Sequence, residues 1–174
     1  MDRQKFVDFF FEASLNGWVG DAPEVLMDEL PGFKVINYPR YGRPEMEGFF
    51  YRDAYSVHPE TKISTGFTNI WHDGIPIFTS GYGGYYPKQA IPFLKEALRK
   101  AYLRKIFNGG RGVEYQNGGF EYIITGKRKL FAEEQARNLL KLKEHTQFDG
   151  IEAILDYRTG QVIGWHTIWC MTLF

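Results

Sequence analysis

Apolar residues recur at helical spacing in two long segments of the chain. The first covers residues 2–16, with Asp2 at the N-cap position and Asn16-Gly17 as a stop signal. The second covers residues 92–106, with Pro92 in the first turn, where proline fits a helix, and Asn108-Gly109-Gly110 after its end. Both patterns predict amphipathic helices that dock on a sheet. Residues 127–147 also fit a helix, although their C-terminal part is compatible with a strand.

Most of the remaining chain carries strand signals. The predicted strands are residues 33–38, 48–57, 63–72, 75–82, 113–116, 120–125, 148–157 and 161–171. The turns Asp73-Gly74 and Asn117-Gly118-Gly119 indicate hairpins. A short helical turn is expected within residues 22–30. Glycines 81, 83 and 84 mark a bend or a close backbone approach in the strand after the first of these turns.

Two stretches of strand are similar to each other, residues 48–86 and residues 119–171. Gly48-Phe49-Phe50-Tyr51 recurs as Gly119-Phe120-Glu121-Tyr122, and each copy continues through a glycine-bearing turn into a return strand. This pattern predicts two β-meander pseudo-repeats, each too small to bury its apolar face alone. The alternative is a chance similarity between aromatic strands.

The pattern as a whole predicts an α+β fold in a single domain, residues 1–174. Its centre is one curved antiparallel sheet built from the two meanders and packed by two or three helices. The last strand is apolar on both faces, with Ile168 and Cys170 on one and Trp165 and Trp169 on the other. We therefore expect helices on one face of the sheet, and the sheet itself or a partner on the other.

Composition narrows the class of protein. The 174 residues suit one domain, and 17% aromatic residues together with 19 glycines favour strands and tight turns. The formal net charge is zero, which argues against a protein that binds nucleic acid directly. The basic excess within residues 88–111 is interpreted as a solvated helix face, with a patch for an acidic partner as the alternative.

The single cysteine, Cys170, excludes a disulfide framework and any CxxC motif, and its apolar surroundings predict a buried, unreactive thiol. No apolar run approaches the ~20 residues that a membrane span needs. A cytoplasmic protein without a cofactor or a membrane partner is therefore the expectation.

Several stretches of the chain are similar to one bacterial family. They are Phe9–Ala13, Phe49–Tyr55, Gly66–Gly84, Phe93–Leu98, Arg111-Gly112 and Phe148–Glu152. In this order and spacing they resemble a domain family of unknown function that occurs alone or C-terminal to Xre-type helix-turn-helix regulators. Thr68 stands where the family has an acidic residue. The resemblance implies a fold and a regulatory context, but no established activity.

Candidate catalytic residues are few. The chain has no Gly-x-Ser-x-Gly elbow, so covalent catalysis is disfavoured. Four polar residues on aromatic strands remain as candidates for acid–base work: Asp53, His72, Glu152 and His166. His72 and His166 would also suit a metal with a carboxylate as third ligand, but no local ligand spacing supports a metal site and none is expected. The alternative is that each carboxylate only accepts structural hydrogen bonds.

Aromatic residues near glycine bends are the main signal for a ligand site, because such rings bury area while their polar tips keep a contact. The candidate ligand-binding residues are Tyr51, Trp71, Tyr82, Tyr85 and Arg111. They favour a non-enzymatic module that binds or senses a small molecule or a peptide. The alternatives are a hydrolase-type enzyme that uses a carboxylate and histidine pair, and a domain that acts as a homo-oligomeric interaction unit.

Overall fold

The structure is a computed structural model that describes residues 2–39, 48–107, 114–128 and 147–173. Two helices lie within these residues, α1 (Arg3–Asn16) and α2 (Ile91–Leu103), with 3-10 turns at Trp18–Gly20 and Lys88–Ala90. The strands are β1 (Val25–Leu26), β2 (Lys34–Tyr38), β3 (Phe49–Val57), β4 (Ile63–His72), β5 (Ile75–Tyr85), β6 (Tyr115–Asn117), β7 (Phe120–Arg128), β8 (Gln147–Asp156) and β9 (Val162–Thr172).

All nine strands form one sheet in the order β1-β2-β3-β4-β5-β9-β8-β7-β6, and every neighbouring pair is antiparallel. Two meanders, β3-β4-β5 and β7-β8-β9, therefore meet along the pairing of β5 with β9. The sheet is open and curved, so the predicted α+β fold is confirmed. The relation of these meanders as pseudo-repeats stays a prediction.

Helix α1 covers the first meander. The Asp2 side chain accepts a hydrogen bond from the Gln4 backbone at 2.8 Å, which confirms the predicted N-cap. The ring centroids of Phe9 and Phe49 on β3 lie 5.1 Å apart, and Phe10 lies 5.3 Å from Phe78 on β5. These contacts place the helix on one face of the sheet.

Helix α2 covers the second meander on the same face. The ring of Phe93 lies 5.6 Å from Phe120 on β7, and Leu94 and Leu98 are fully buried. Near the middle of the helix, Arg99 donates a hydrogen bond to the carbonyl oxygen of Val19 at 2.8 Å. This bond ties α2 to the 3-10 turn that follows α1, so both helices and that turn form one layer over the sheet.

Two predicted elements differ from the structure. Residues 22–30 contain strand β1 instead of a helical turn, because Val25 and Leu26 pair with Val35 and Lys34 at the sheet edge. Such backbone pairing outweighs the local pattern of a short segment. In the stretch 127–147, residues 127–128 belong to β7 and residue 147 to β8. The rest of that predicted helix, residues 129–146, lies outside the described residues.

The face of the sheet opposite the helices carries two exposed indoles. Trp165 is 43% exposed and Trp169 is 45% exposed. Gly81 leaves room for the Trp169 ring, since a Cβ there would lie 2.6 Å from Cε2 of the indole. In the described structure the helices thus cover one face, and the expected cover on the other face stays a prediction.

Cys170 offers a direct check of this layer arrangement. Its side chain is fully buried on the helix-covered face, and burial raises the pKa of its thiol well above the ordinary value. We expect the native protein to leave a thiol-specific chromogenic reagent unreacted at mildly alkaline pH, and to react in concentrated guanidinium chloride. Rapid reaction of the native protein would contradict the described packing of β9.

Candidate functional site

A pocket of about 660 Å³ lies between the sheet and the helical layer. Its volume falls within the range of roughly 300–1,000 Å³ that is typical of small-molecule sites. Its aromatic lining consists of Trp18, Tyr55, Tyr82 and Tyr86. Val57, Ile91 and Leu94 add apolar surface. The polar lining consists of Asp53, Ser64, His166 and three lysines, Lys34, Lys62 and Lys88.

Strand register explains why side chains distant in sequence share this pocket. Gly84 of β5 pairs with Ser64 of β4 on one side and with His166 of β9 on the other. Residues that are direct partners across antiparallel strands point to the same face of a sheet. Ser64 and His166 therefore flank the same glycine on the helix-covered face.

Glycines form the floor beneath the rings of the pocket. A Cβ on Gly66 would lie 2.5 Å from the Tyr82 ring, and a Cβ on Gly164 would lie 2.6 Å from Cδ1 of Tyr86. At Gly84 a Cβ would overlap the carbonyl oxygen of Trp165 and lie 2.8 Å from Cδ2 of His166. The predicted close approach within residues 81–84 is thus confirmed at Gly84, whose φ is +154°.

Asp53 is held at the inner end of the pocket. The side chain is only 6% exposed, and its Oδ1 accepts hydrogen bonds from Thr68 and from the Tyr82 hydroxyl, both at 2.9 Å. A buried carboxylate requires such donors, since an unpaired one would be costly. The same bond fixes the position of the Tyr82 hydroxyl.

Glu152 lies behind His166 and is fully buried. Its Oε2 accepts a hydrogen bond from Tyr122 at 2.6 Å, and its Oε1 accepts one from Tyr86 at 3.2 Å. Nδ1 of His166 lies 4.0 Å from the same Oε1, which is ion-pair range but too long for a hydrogen bond. Two tyrosines thus satisfy the carboxylate and aim it at the imidazole.

His166 connects the buried carboxylate to the pocket. Its Nε2 lies 2.9 Å from Oγ of Ser64. The imidazole stacks on Tyr82, with ring centroids 5.6 Å apart and planes at 21°, and its centroid lies 4.6 Å from that of Tyr86. The hydroxyl of Ser64 also lies 3.3 Å from the carbonyl oxygen of Gly84. A serine, a histidine and a glutamate thereby form one continuous cluster.

The rim of the pocket includes a cluster around Glu24. Its carboxylate pairs with Lys34 at 2.7 Å and accepts a hydrogen bond from the Tyr55 hydroxyl. Burial opposes ionisation of Glu24, but the bonds from Lys34 and Tyr55 outweigh it and hold its pKa below the ordinary value. Burial, with the hydrogen bond and charge of Glu24, raises the pKa of Tyr55. Tyr55 thus stays a protonated donor.

The structure brings three of the predicted site residues to the pocket, Asp53, Tyr82 and His166, with Glu152 directly behind them. His72 is not part of this cluster, because it lies at the other end of β4, where its ring is 4.4 Å from that of Phe49. His72 and His166 therefore do not meet in the described structure, as a shared metal site would require.

Three of the predicted ligand-binding residues lie elsewhere. Tyr51 is buried under the helices and lines a separate void of about 40 Å³. Trp71 packs against Phe50, with ring centroids 5.6 Å apart, and strand alternation puts Tyr85 on the sheet face opposite the pocket. Arg111 lies outside the described residues.

Within the cluster of Ser64, His166 and Glu152, Ser64 is the residue that the sequence did not indicate. It stands in an ordinary strand, Ile63–His72, without a nucleophile motif. Its position beside His166 depends on the pairing of β4 with β5 and of β5 with β9. Tyr55 and Tyr86 also belong to the aromatic residues near glycine bends, and Tyr86 flanks the bend at Gly81–Gly84, but neither is among the candidate ligand-binding residues predicted from the sequence.

Among residues 2–39, 48–107, 114–128 and 147–173, no group of three or more His, Cys, Asp and Glu side chains is arranged to hold a metal ion. Neither of the two helices described has the length and apolar content that crossing a membrane requires.

Comparison with known proteins gives no match. No protein-family profile, curated protein or solved structure matches this chain. The resemblance to the family associated with Xre-type regulators therefore stays a prediction.

Gly84 and Gly83 form a matched pair for testing the floor of the pocket. Gly84→Ala puts a Cβ against the backbone of Trp165 at a φ that L-residues rarely adopt, so we expect a loss of roughly 2–4 kcal/mol of unfolding free energy. At Gly83 the nearest atom to a Cβ would be 3.5 Å away, so Gly83→Ala should change stability little. Chemical denaturation measures both, and equal stability of the two variants would contradict the close approach.

Proposed function

We propose that this protein binds a small organic molecule that carries an anionic group. The observation that supports the proposal is the pocket of about 660 Å³, which combines aromatic walls, a polar floor and three lysines. Ligand pockets typically pair a mostly apolar lining with a few well-placed polar groups. A flat or aromatic body would pack on Tyr82, Tyr86 and Trp18.

The charges around the pocket favour an anion. Lys34, Lys62 and Lys88 line it and are exposed, so they lie at its solvent edge. Lys34 forms an ion pair with Glu24. The acidic residue in the lining, Asp53, is buried and accepts hydrogen bonds from two donors, so it does not add negative charge at the solvent edge. Positive charge at the rim of a low-dielectric cleft attracts anionic ligands. The polar floor then offers Ser64 and His166 for hydrogen bonds.

A small molecule fits this pocket better than a peptide. The volume suits a compact ligand, whereas an extended peptide needs a long groove or a free strand edge. The resemblance to a regulator-associated bacterial family would add that the bound molecule serves as a signal.

A second candidate function is a homo-oligomeric interaction unit. It is favoured by the exposure of Trp165 and Trp169 on the sheet face opposite the helices. Such indoles are common in protein interfaces. Sedimentation that yields a monomer over a wide range of concentrations would exclude this candidate.

Matched probes test the proposed ligand class. We expect salicylate to raise the melting temperature and to bind measurably by calorimetry, and its neutral counterpart salicylamide to bind at least about tenfold more weakly. The variant Lys62→Ala/Lys88→Ala should lose about tenfold in affinity for salicylate, since each exposed charge contributes up to about 1 kcal/mol. Added salt should weaken binding to the wild type more than to this variant.

The control for this experiment is Lys5→Ala, which removes an exposed lysine of α1 away from the pocket. It should leave affinity unchanged. Tyr82→Ala removes a wall of the pocket and should abolish binding of both probes. If salicylate and salicylamide bind equally well to all of these variants, the proposed anion site is wrong.

A further inference from the structure

We propose that Ser64, His166 and Glu152 form an acyl-transfer site that cleaves carboxylic esters held in the pocket. Ser64 is the nucleophile, His166 the general base, and Glu152 the positioning residue. The proposal rests on the proposed ligand pocket and adds a reaction to it. The substrate class is a small ester that carries an anionic or aromatic group.

The distance between Ser64 and His166 is that of an activated nucleophile. Oγ of Ser64 lies 2.9 Å from Nε2 of His166, within the range of about 2.6–3.2 Å that proton transfer requires. Ser64 is half-buried and lines the pocket, so its hydroxyl can meet a bound ligand. These two facts separate it from Ser80, which is buried on β5 and lines the smaller void.

The imidazole is oriented by its neighbours. The Tyr82 ring stacks on the imidazole with 5.6 Å between the ring centroids, and the centroid of the Tyr86 ring lies 4.6 Å from that of the imidazole. Nδ1 faces Glu152 at 4.0 Å, and the carboxylate is fixed by hydrogen bonds from Tyr86 and Tyr122. In the absence of substrate, distances within catalytic groups are often longer than in the reacting complex. A fixed carboxylate at this position stabilises the imidazolium that forms when Nε2 takes a proton.

The reaction balances with groups already present. Oγ of Ser64 bonds to the ester carbonyl carbon while its proton passes to Nε2 of His166, and the carbonyl π electrons move to oxygen. Lys62 and Lys88, which line the solvent edge of the pocket, add positive potential that favours this oxyanion. The intermediate then collapses, and the leaving alkoxide takes the proton from Nε2 and departs as an alcohol.

The acyl group is then removed by water. A water molecule attacks the carbonyl carbon of the acyl group bound to Ser64 and gives a proton to Nε2 of His166. The tetrahedral intermediate then collapses, the bond between this carbon and Oγ breaks, and Oγ recovers the proton from Nε2. The products are a carboxylic acid and free Ser64, and no step changes an oxidation state. The aromatic walls bind the part of the substrate that does not react.

The alternative to a nucleophilic Ser64 is a serine that makes only structural hydrogen bonds. In that case the Ser64 hydroxyl only donates to the carbonyl oxygen of Gly84, 3.3 Å away, and Nε2 of His166 donates to Oγ. Both arrangements have the same distances between heavy atoms. Chemical reactivity of the hydroxyl distinguishes them, so the test measures that property.

The experiment combines a fluorophosphonate probe with p-nitrophenyl butyrate. The full-length protein should add one phosphonyl group, seen by intact mass and located at Ser64 by peptide mapping, and should release p-nitrophenol with a burst. Ser64→Ala should abolish the label and lower turnover by roughly 10³-fold, as should His166→Gln. Ser56→Ala is the matched control. Ser56 is adjacent to Val57, which pairs with Ser64 across β3 and β4, and it lies on the opposite face of the sheet. This variant should leave both readouts unchanged.

Glu152→Gln tests the positioning role. Glutamine keeps the size of the side chain and removes its charge, so kcat for the ester should fall while KM stays within about twofold of the wild type. A purely structural role would instead change the melting temperature and leave kcat per folded molecule intact. Melting curves of every variant identify any that fails to fold. Ser64→Thr is a second variant, which retains a hydroxyl while its added methyl group blocks the approach of that hydroxyl to the ester.

The outcomes separate this inference from the proposed function. Binding of salicylate to both wild type and Ser64→Ala, without labelling or ester turnover in the wild type, overturns the acyl-transfer site and leaves the ligand pocket standing. Labelling at a serine other than Ser64 also overturns it. Absence of salicylate binding together with labelling at Ser64 supports the reaction and removes the proposed anionic ligand class.

Discussion

The pairing of β5 with β9 is the contact on which the rest of the structure depends. It joins a meander from the first half of the chain to one from the second half, so that a single curved sheet supports both helices. Gly84 permits this pairing to be close, because any side chain there would collide with the backbone of β9. The same contact brings Ser64 within 2.9 Å of His166 although 102 residues separate them in the chain. Fold and candidate site therefore have a common origin.

The buried polar groups give the site a defined geometry. Glu152 has no solvent contact, and a carboxylate in that position is tolerated because two tyrosine hydroxyls donate to it. Each tyrosine also packs as an aromatic residue, so the apolar core and the polar network are built from the same side chains. Asp53 and the hydroxyl of Tyr82 repeat this arrangement at the other side of the imidazole. Such a network is rigid only when every member is satisfied, which makes the position of His166 sensitive to its neighbours.

The fold could be predicted from local patterns, whereas the site could be predicted only in part. Strand alternation and turn residues identified the sheet, and the amphipathic segment after Pro92 identified the covering helix. The sequence pointed to His166 as a polar residue on an apolar strand, but it could not indicate Ser64, since the pairing of distant strands leaves no local signal. Trp71 carried the same aromatic signal as Tyr82 and lies outside the pocket, because alternation along β4 turns it to the other face. The helical layer decides which aromatic residues of the covered face remain accessible.

The most direct test of the account is the side-chain nuclear magnetic resonance spectrum of His166. A long-range ¹H–¹⁵N spectrum of the imidazoles resolves the four histidines, and His166→Gln assigns the relevant signals. The account predicts that Ser64→Ala shifts the Nε2 resonance, that Glu152→Gln shifts the Nδ1 resonance, and that Ser56→Ala shifts neither. Unchanged His166 resonances in both of the first two variants would contradict the claim that the sheet gathers these three residues into one cluster.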